Sequence, residues 1–164
     1  STALAVDNEP EDVVRQLNAF FGVVVAAVGK HGGWVNKFEG DAALCVFGAP
    51  VERADAGASA LAAARTLCEG LSPLELRAAI GVCAGPVVAG NVGTEQRFEY
   101  TVIGDPVNTA ARLADLARTT PGRVLADGAV LAAAGEEAEQ WVLGDEVVLR
   151  GRSTPTRLAA PRTS

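Results

Sequence analysis

Residues 34–48 read WVNKFEGDAALCVFG, and this stretch decides the fold class. Trp34 to Phe38 is a short extended run, Gly40-Asp41 is a turn signal, and residues 42–48 form a second, mostly apolar run. Two strand-like runs joined by a Gly-Asp turn predict a tight β-hairpin. We therefore expect Asp41 at or beside the hairpin tip.

Amphipathic helices are predicted on both sides of this hairpin. Between Pro10 and Lys30, apolar residues recur at steps of three and four, as on one face of an α-helix, at Leu17, Phe20, Phe21, Val24 and Val28. Pro10 suits the first helical turn, and Gly32-Gly33 ends the pattern. A second, alanine-rich helix is predicted over 54–71.

The second half of the chain alternates strands with helices. Strand-like or extended runs cover 76–83, 85–93, 97–103, 124–126, 141–149 and 156–159, and helices are predicted over 106–118 and near 129–133. Helices alternating with mostly antiparallel strands indicate an α+β fold with helices on one face of a sheet. If one strand preceded Ser1, the first half would be the βαββαβ unit of ferredoxin-like folds, followed by extra C-terminal strands.

Composition narrows the function classes. The chain has 164 residues and a net charge of −6, which suits one globular domain and argues against nonspecific binding to nucleic acid or acidic membranes. No apolar run approaches the roughly 20 residues that span a bilayer, so we expect no direct membrane contact. Three scattered cysteines fit a reducing, cytoplasmic compartment. A single histidine, His31, excludes a His-rich metal site.

The hairpin carries the first candidate site. A carboxylate at a turn, such as Asp41, can reach a hard divalent cation such as Mg²⁺, and Lys37 would be a fixed donor on the neighbouring strand. The alternative is a hairpin whose polar residues are simply solvated.

The second candidate site lies in residues 100–113, YTVIGDPVNTAARL. Asn108 and Arg112 are four residues apart and so share a helix face, with Asn108 in the first turn, where the helix dipole favours an anion. Alternatively, Asn108 is a local cap, Arg112 is a surface residue, and Thr101 only fills an apolar strand.

Arg150 and Arg152, around Gly151, form the third candidate site. Two arginines in this arrangement can hold phosphate oxygens through paired hydrogen bonds. They can equally be a solvated turn between strands.

Together these segments resemble the catalytic domain of class III nucleotide cyclases, specifically adenylyl cyclases of bacterial type. The resemblance covers nearly the whole chain and runs through Leu17-Asn18, His31-Gly32-Gly33, residues 37–41 (KFEGD), Val46-Phe47-Gly48, residues 85–90 (GPVVAG) and residues 100–112. It implies conversion of ATP to cyclic AMP and pyrophosphate at a site shared by two domains of a homodimer.

The resemblance also implies a role for each candidate residue. Asp41 would be one of two aspartates that bind two Mg²⁺ or Mn²⁺ ions, and Lys37 and Thr101 would contact adenine. Asn108 and Arg112 would stabilise the transition state. Arg150 would hold the triphosphate tail, and the further substrate contacts near the phosphates would be Arg152, Ser1 and Thr2. Because adenine offers an acceptor at N1 and a donor at N6, Lys37 with Thr101 predicts ATP rather than GTP.

One departure from the family pattern concerns the N-terminus. The family's other metal-binding aspartate lies on a strand that would end near Ser1-Thr2, so we interpret residues 1–164 as a single, N-terminally truncated catalytic domain. Three alternatives remain open: an inactive cyclase-homology domain that dimerises and binds nucleotide, a guanylyl cyclase, and a nonenzymatic ferredoxin-like interaction module. The parent protein could carry membrane or regulatory domains.

Overall fold

The computed structural model describes residues 9–94 and 97–162, and within these ranges it contains three α-helices and eight β-strands. Short 3₁₀ turns cover Ser72–Leu74, Pro121–Arg123, Gly128–Ala133 and Gly135–Gln140. The helices and strands, in chain order, are α1 (Pro10–Lys30), β1 (Trp34–Glu39), β2 (Ala42–Val46), α2 (Ala56–Leu71), β3 (Ile80–Val82), β4 (Val88–Thr94), β5 (Arg97–Ile103), α3 (Asp105–Ala117), β6 (Val124–Asp127), β7 (Trp141–Val147) and β8 (Thr156–Pro161).

Helix α1 has the predicted bounds. Pro10 occupies the start of the helix, where its missing N–H costs nothing, and acidic residues in the first turn complement the helix dipole. Gly32 follows the helix with φ of +71°, a conformation that favours glycine. The buried face, at Val24, Ala27 and Val28, packs against Leu67 and Leu71 of α2.

The predicted hairpin is confirmed. Strands β1 and β2 pair antiparallel up to Glu39 opposite Ala42, and Gly40 takes φ of +62° in the turn beside Asp41. The register shifts between Val35 and Lys37, so Asn36 is the extra residue of a β-bulge.

The remaining strands form two further sheets. A four-stranded sheet has the order β3-β6-β8-β7, with β3 parallel to β6, and the pair β4–β5 is an antiparallel ribbon. Helix α2 covers the four-stranded sheet through a core that includes Leu61, Val82, Ala126 and Trp141.

The α+β class is confirmed, and from α1 to β3 the elements follow the order α-β-β-α-β. In the described residues this order matches the ferredoxin-like unit from its first helix onward, and β6 to β8 are the expected C-terminal additions. Within the described ranges, no strand joins the hairpin to the four-stranded sheet. The strand predicted over 76–83 is shorter, since only Ile80–Val82 makes ladder hydrogen bonds, and the 3₁₀ turn Gly135–Gln140 was not predicted.

Helix α3 approaches the sheet unusually closely, at Gly81 of β3. A Cβ atom on Gly81 would overlap the carbonyl oxygen of Ala110 and lie 2.5 Å from the amide nitrogen of Ala114. The helix buries Leu113 and Ala117 on this side. Only glycine therefore allows α3 to lie where it does.

One described helix, α1, is long and apolar enough to cross a membrane when judged by length and composition alone. Polar residues such as Arg15 and Asn18 interrupt its apolar sequence. Core helices of globular proteins satisfy the same criterion, and α1 packs on α2 through Val24, Ala27 and Val28. The absence of direct membrane contact stays a prediction.

Arg65 connects α2 to the C-terminal half of the chain through an ion pair with Glu137. Its Nε and Nη2 atoms donate to the two carboxylate oxygens of Glu137 at 2.8 and 3.0 Å, and Trp141 Nε1 donates to Glu137 at 3.0 Å. Burial disfavours the Glu137 carboxylate, but the hydrogen bonds from Arg65 and Trp141 outweigh it, so the pKa of Glu137 lies below its usual value.

We expect Glu137→Gln to lower the free energy of unfolding at pH 7 by about 1–3 kcal/mol, because it removes the charge from these hydrogen bonds. Because the pKa of Glu137 is lower in the folded protein than its ordinary value of 4.5, the carboxylate stabilises the fold above pH 4.5. This stabilisation is lost as the pH falls through the pKa of Glu137 in the folded protein. The difference in the free energy of unfolding between the wild type and Glu137→Gln, measured from urea unfolding curves, should therefore shrink below pH 4.5.

The matched control is Glu139→Gln, which changes an exposed carboxylate two residues away and should leave stability unchanged. If Glu137→Gln lowers the free energy of unfolding by the same amount at neutral and acidic pH, the charge of the carboxylate does not contribute to stability.

Candidate active site

A cavity of about 290 Å³ brings together four of the predicted site residues. They come from the first turns of α3 and from the loop between β7 and β8. Its walls are formed by Asp105, Asn108, Thr109, Arg112, Arg150, Gly151 and Arg152. With three guanidinium groups and one carboxylate, the cavity has a net positive charge and suits an anionic ligand.

Helix α3 presents Asn108 and Arg112 to this cavity one helical turn apart, as their spacing predicted. Both are exposed, whereas Thr109 and Leu113 on the adjoining face are buried. The buried face fixes the rotation of the helix on the sheet, and the exposed face therefore points two polar side chains into one space.

The two loop arginines differ in their surroundings. Arg152 Nη1 donates to both carboxylate oxygens of Asp105 at 2.7 Å and also to the Thr109 hydroxyl, so Asp105 raises the pKa of Arg152. Gly151 between the arginines has φ of +77° in a tight turn. Arg150 is exposed on the cavity wall. Arg152 thus anchors the loop to α3, and Arg150 is the arginine placed to meet a ligand.

A second group of predicted residues lies on the hairpin and on β5. Lys37 Nζ is 3.2 Å from a carboxylate oxygen of Glu39, and Asp41 is exposed in the turn. Thr101 is only 9% exposed, and its hydroxyl lies 3.3 Å from the amide oxygen of Asn36, next to Lys37. Within one chain, Lys37, Asp41 and Thr101 do not line the 290 Å³ cavity.

Asn36 is the site neighbour that the sequence analysis missed. Its Nδ2 atom donates to the backbone carbonyl of Tyr100 at 2.8 Å, while its Oδ1 atom accepts from Thr101. A polar amide within an apolar strand, directly before Lys37, was the available signal. Ser1 and Thr2, the other predicted substrate contacts, lie outside the described residues.

The carboxylate of Asp41 is a ligand that suits a divalent cation bound also by phosphate. Asp41 offers carboxylate oxygens in an exposed turn, and no group of three or more His, Cys, Asp or Glu side chains gathers anywhere in residues 9–94 and 97–162. Mg²⁺ is usually bound by one or two carboxylates together with substrate phosphates, so it needs no such cluster.

The cysteines and the histidine are not placed for catalysis. Burial raises the pKa of Cys45 and Cys83 to about 11, which keeps both as neutral thiols. His31 Nε2 lies 2.9 Å from the Thr66 hydroxyl and links α1 to α2. Covalent catalysis by a thiolate is therefore disfavoured at these positions.

The sequence matches a known family over nearly its full length. Residues 1–157 match the profile of the adenylate and guanylate cyclase catalytic domain. The chain is 54% identical over 164 residues to the uncharacterized protein Rv1318c of Mycobacterium tuberculosis (strain ATCC 25618 / H37Rv), covering 98% of this chain and 30% of the relative. It is also 54% identical over 160 residues to the uncharacterized protein Mb1353c of Mycobacterium bovis, covering 95% and 30%. The chain thus spans under a third of these relatives.

Solved structures show the same fold. The guanylyl cyclase Cya2 is 30% identical with a TM-score of 0.74, and the match covers 96% of this chain and 84% of that protein. The adenylyl cyclase CyaB from P. aeruginosa is 23% identical with a TM-score of 0.76, covering 99% and 88%. At that identity the likeness to CyaB concerns the fold alone.

The two loop arginines should respond differently to substitution. We expect Arg152→Ala to lower the urea midpoint of unfolding, because it leaves Asp105 and the Thr109 hydroxyl without their shared donor. Arg150→Ala is the matched control and should leave the midpoint unchanged, since surface substitutions rarely affect stability. Equal midpoints for the two variants would refute the anchoring role of Arg152.

Proposed function

The chain belongs to the adenylate and guanylate cyclase catalytic domain family, and from this membership we propose that it is an adenylyl cyclase domain. It would convert ATP to 3′,5′-cyclic AMP and pyrophosphate. The observation that carries the proposal is the positively charged cavity in which Asn108, Arg112 and Arg150 meet. Nucleotide binding and cyclic nucleotide synthesis are the common properties of the family.

The reaction is an in-line displacement at phosphorus. The ribose 3′-oxygen attacks the α-phosphorus of ATP, forming the new P–O bond while the bond to the bridging oxygen of pyrophosphate breaks. The hydroxyl loses one proton to solvent, and pyrophosphate leaves on the opposite side. Negative charge grows on the α-phosphoryl oxygens and on the leaving group, so fixed positive charge near both stabilises the transition state.

The cavity residues supply that charge and orientation. Arg112, exposed on the cavity wall, stabilises the charge that develops at the α-phosphoryl group, and Asn108, one turn earlier, orients the ribose. Arg150 binds the triphosphate tail from the loop, with Arg152 holding that loop against Asp105. The helix dipole at the start of α3 adds to the attraction for phosphate.

Lys37 and Thr101 select the base. The Lys37 ammonium donates to adenine N1, and the Thr101 hydroxyl accepts from the N6 amino group. Guanine carries a donor at N1, so its N1–H would face the Lys37 ammonium, which is also a donor. The similarity to the guanylyl cyclase Cya2 makes GTP the competing substrate.

Asp41 would hold divalent metal, two Mg²⁺ or Mn²⁺ ions per site, together with the phosphates of ATP. When bound, such ions lower the pKa of the attacking hydroxyl and neutralise charge on the departing pyrophosphate. The residues of this chain position the nucleotide around them.

A homodimer would complete the site. The β4–β5 ribbon exposes large apolar side chains, with Val88 74% exposed, Phe98 65% and Ile103 53%. Such a patch is typical of an interaction surface. Asp41 does not line the cavity of its own chain, and the pairing of two copies would bring Asp41 of one protomer to the cavity of its partner.

We place the domain in the cytoplasm, because its three cysteines are all free, as is usual in a reducing compartment.

The proposal is tested by incubating the full-length protein with Mn²⁺ and ATP and measuring cyclic AMP. Arg112→Ala and Asn108→Ala should each lower kcat by about 10²–10³-fold while changing nucleotide binding little, because they act mainly in the transition state. Arg157→Ala, an exposed arginine on β8, is the control and should retain activity. Wild-type protein that binds ATP but forms no product would instead support the inactive cyclase-homology domain.

Base selection is tested by Lys37→Glu, which replaces a donor to adenine N1 with an acceptor for guanine N1. We expect the ratio of kcat/KM for ATP to that for GTP to fall by at least about tenfold, the effect of one lost hydrogen bond. Lys30→Glu reverses an exposed charge at the end of α1 and should leave the ratio unchanged. An unaltered ratio in Lys37→Glu would contradict the assignment of Lys37 to the base.

A further inference from the structure

We propose that Asn36 is a positioning residue that sets nucleotide specificity, because it fixes the direction of the hydrogen bond made by Thr101. By accepting the hydrogen bond of the Thr101 hydroxyl, Asn36 leaves that oxygen able only to accept from a ligand, and so favours adenine over guanine. The inference rests on the proposed function and extends it to a residue that has no direct part in the reaction.

The direction of this hydrogen-bond network follows from what each group can do. A backbone carbonyl only accepts, so the atom of Asn36 that lies 2.8 Å from the Tyr100 oxygen must be Nδ2. Oδ1 of Asn36 then faces Thr101 at 3.3 Å. An amide oxygen also only accepts, so the Thr101 hydroxyl must donate its single proton to Asn36.

The backbone holds Asn36 in this place. It is the extra residue of the β1 bulge, and it contacts two consecutive residues of β5, one through its amide nitrogen and one through its amide oxygen. Thr101 is buried, so water has little access to its hydroxyl as an alternative acceptor. Lys37 follows Asn36 directly in β1. One side chain therefore fixes β1 to β5 at the point where both base-contacting residues lie.

The chemical consequence concerns the base edge. With its proton engaged, the Thr101 oxygen presents only lone pairs to a ligand. The N6 amino group of adenine donates to such an oxygen, whereas O6 of guanine is itself an acceptor. Guanine would leave two acceptors facing each other, which costs binding energy in a water-poor site. A Thr101 hydroxyl free to rotate would lose this discrimination, since it could donate to O6.

The experiment measures the ratio of kcat/KM for ATP to that for GTP in the full-length protein. We expect Asn36→Ala to lower this ratio by about tenfold, the effect of one hydrogen bond that no longer discriminates, mainly through better use of GTP. Asn36→Asp keeps an acceptor oxygen for Thr101 but loses the donor to the Tyr100 carbonyl, so the ratio should fall less than it does in Asn36→Ala. Asn36→Ser is too short to reach Thr101 and should behave as Asn36→Ala does.

A double-mutant cycle separates this role from a general loosening of the hairpin. In a Thr101→Val background there is no hydroxyl to orient, so Asn36→Ala should leave the ratio unchanged there. Urea unfolding shows which variants are folded, and the ratio is interpreted for those.

Three results would overturn the inference while leaving the adenylyl cyclase intact: an unchanged ratio in Asn36→Ala and Asn36→Ser, an equal fall in Asn36→Asp, or an equal fall in the Thr101→Val background. A wild-type protein that makes no cyclic AMP, or that prefers GTP, would instead refute the proposed function itself.

Discussion

The contact between α3 and β3 at Gly81 is the constraint on which the candidate site depends. Because glycine has no Cβ, the helix backbone near Ala110 and Ala114 lies directly on the strand. The apolar face of α3 then closes the core through Leu113, which is fully buried. Once that face is fixed, the exposed face has only one orientation, and it carries Asn108 and Arg112. A packing requirement in the sheet thereby sets the direction of two polar side chains.

Electrostatic contacts then fix the loop opposite the helix. The carboxylate of Asp105, in the first turn of α3, accepts from Arg152 and so connects the helix N-terminus to the β7–β8 loop. This ion pair neutralises one of the cavity's three arginines. The remaining two, Arg112 and Arg150, carry the positive charge that an anionic substrate would meet. One arginine of the loop thus holds it against α3, and the other is the one that we propose binds the ligand.

The sequence predicted much of this arrangement, and the failures have physical causes. Helical periodicity gave α1 its observed bounds, and the Gly-Asp turn placed Asp41 correctly, because both signals are local. The strand predicted over 76–83 was too long, since apolar composition cannot show which residues find a ladder partner. The joining of Arg152 to Asp105 spans 47 positions and has no local signature. Asn36 offered a local signal as a polar amide in the strand, but its partners on β5 lie 64 and 65 positions away and could not be read from it.

The division of the predicted residues into two groups also bears on how the domain works. The α3 cavity has the groups that suit phosphate, while Asp41, the carboxylate that suits a cation, lies on a separate hairpin and does not line that cavity. A monomer so arranged could bind a nucleotide weakly through its arginines, yet it would not place the cation beside the reacting phosphate. If two copies pair through the apolar β4–β5 ribbon, as we propose, catalysis becomes a property of the dimer alone. Any device that controls the pairing of the two copies would then control cyclic nucleotide synthesis without altering a single residue in the cavity.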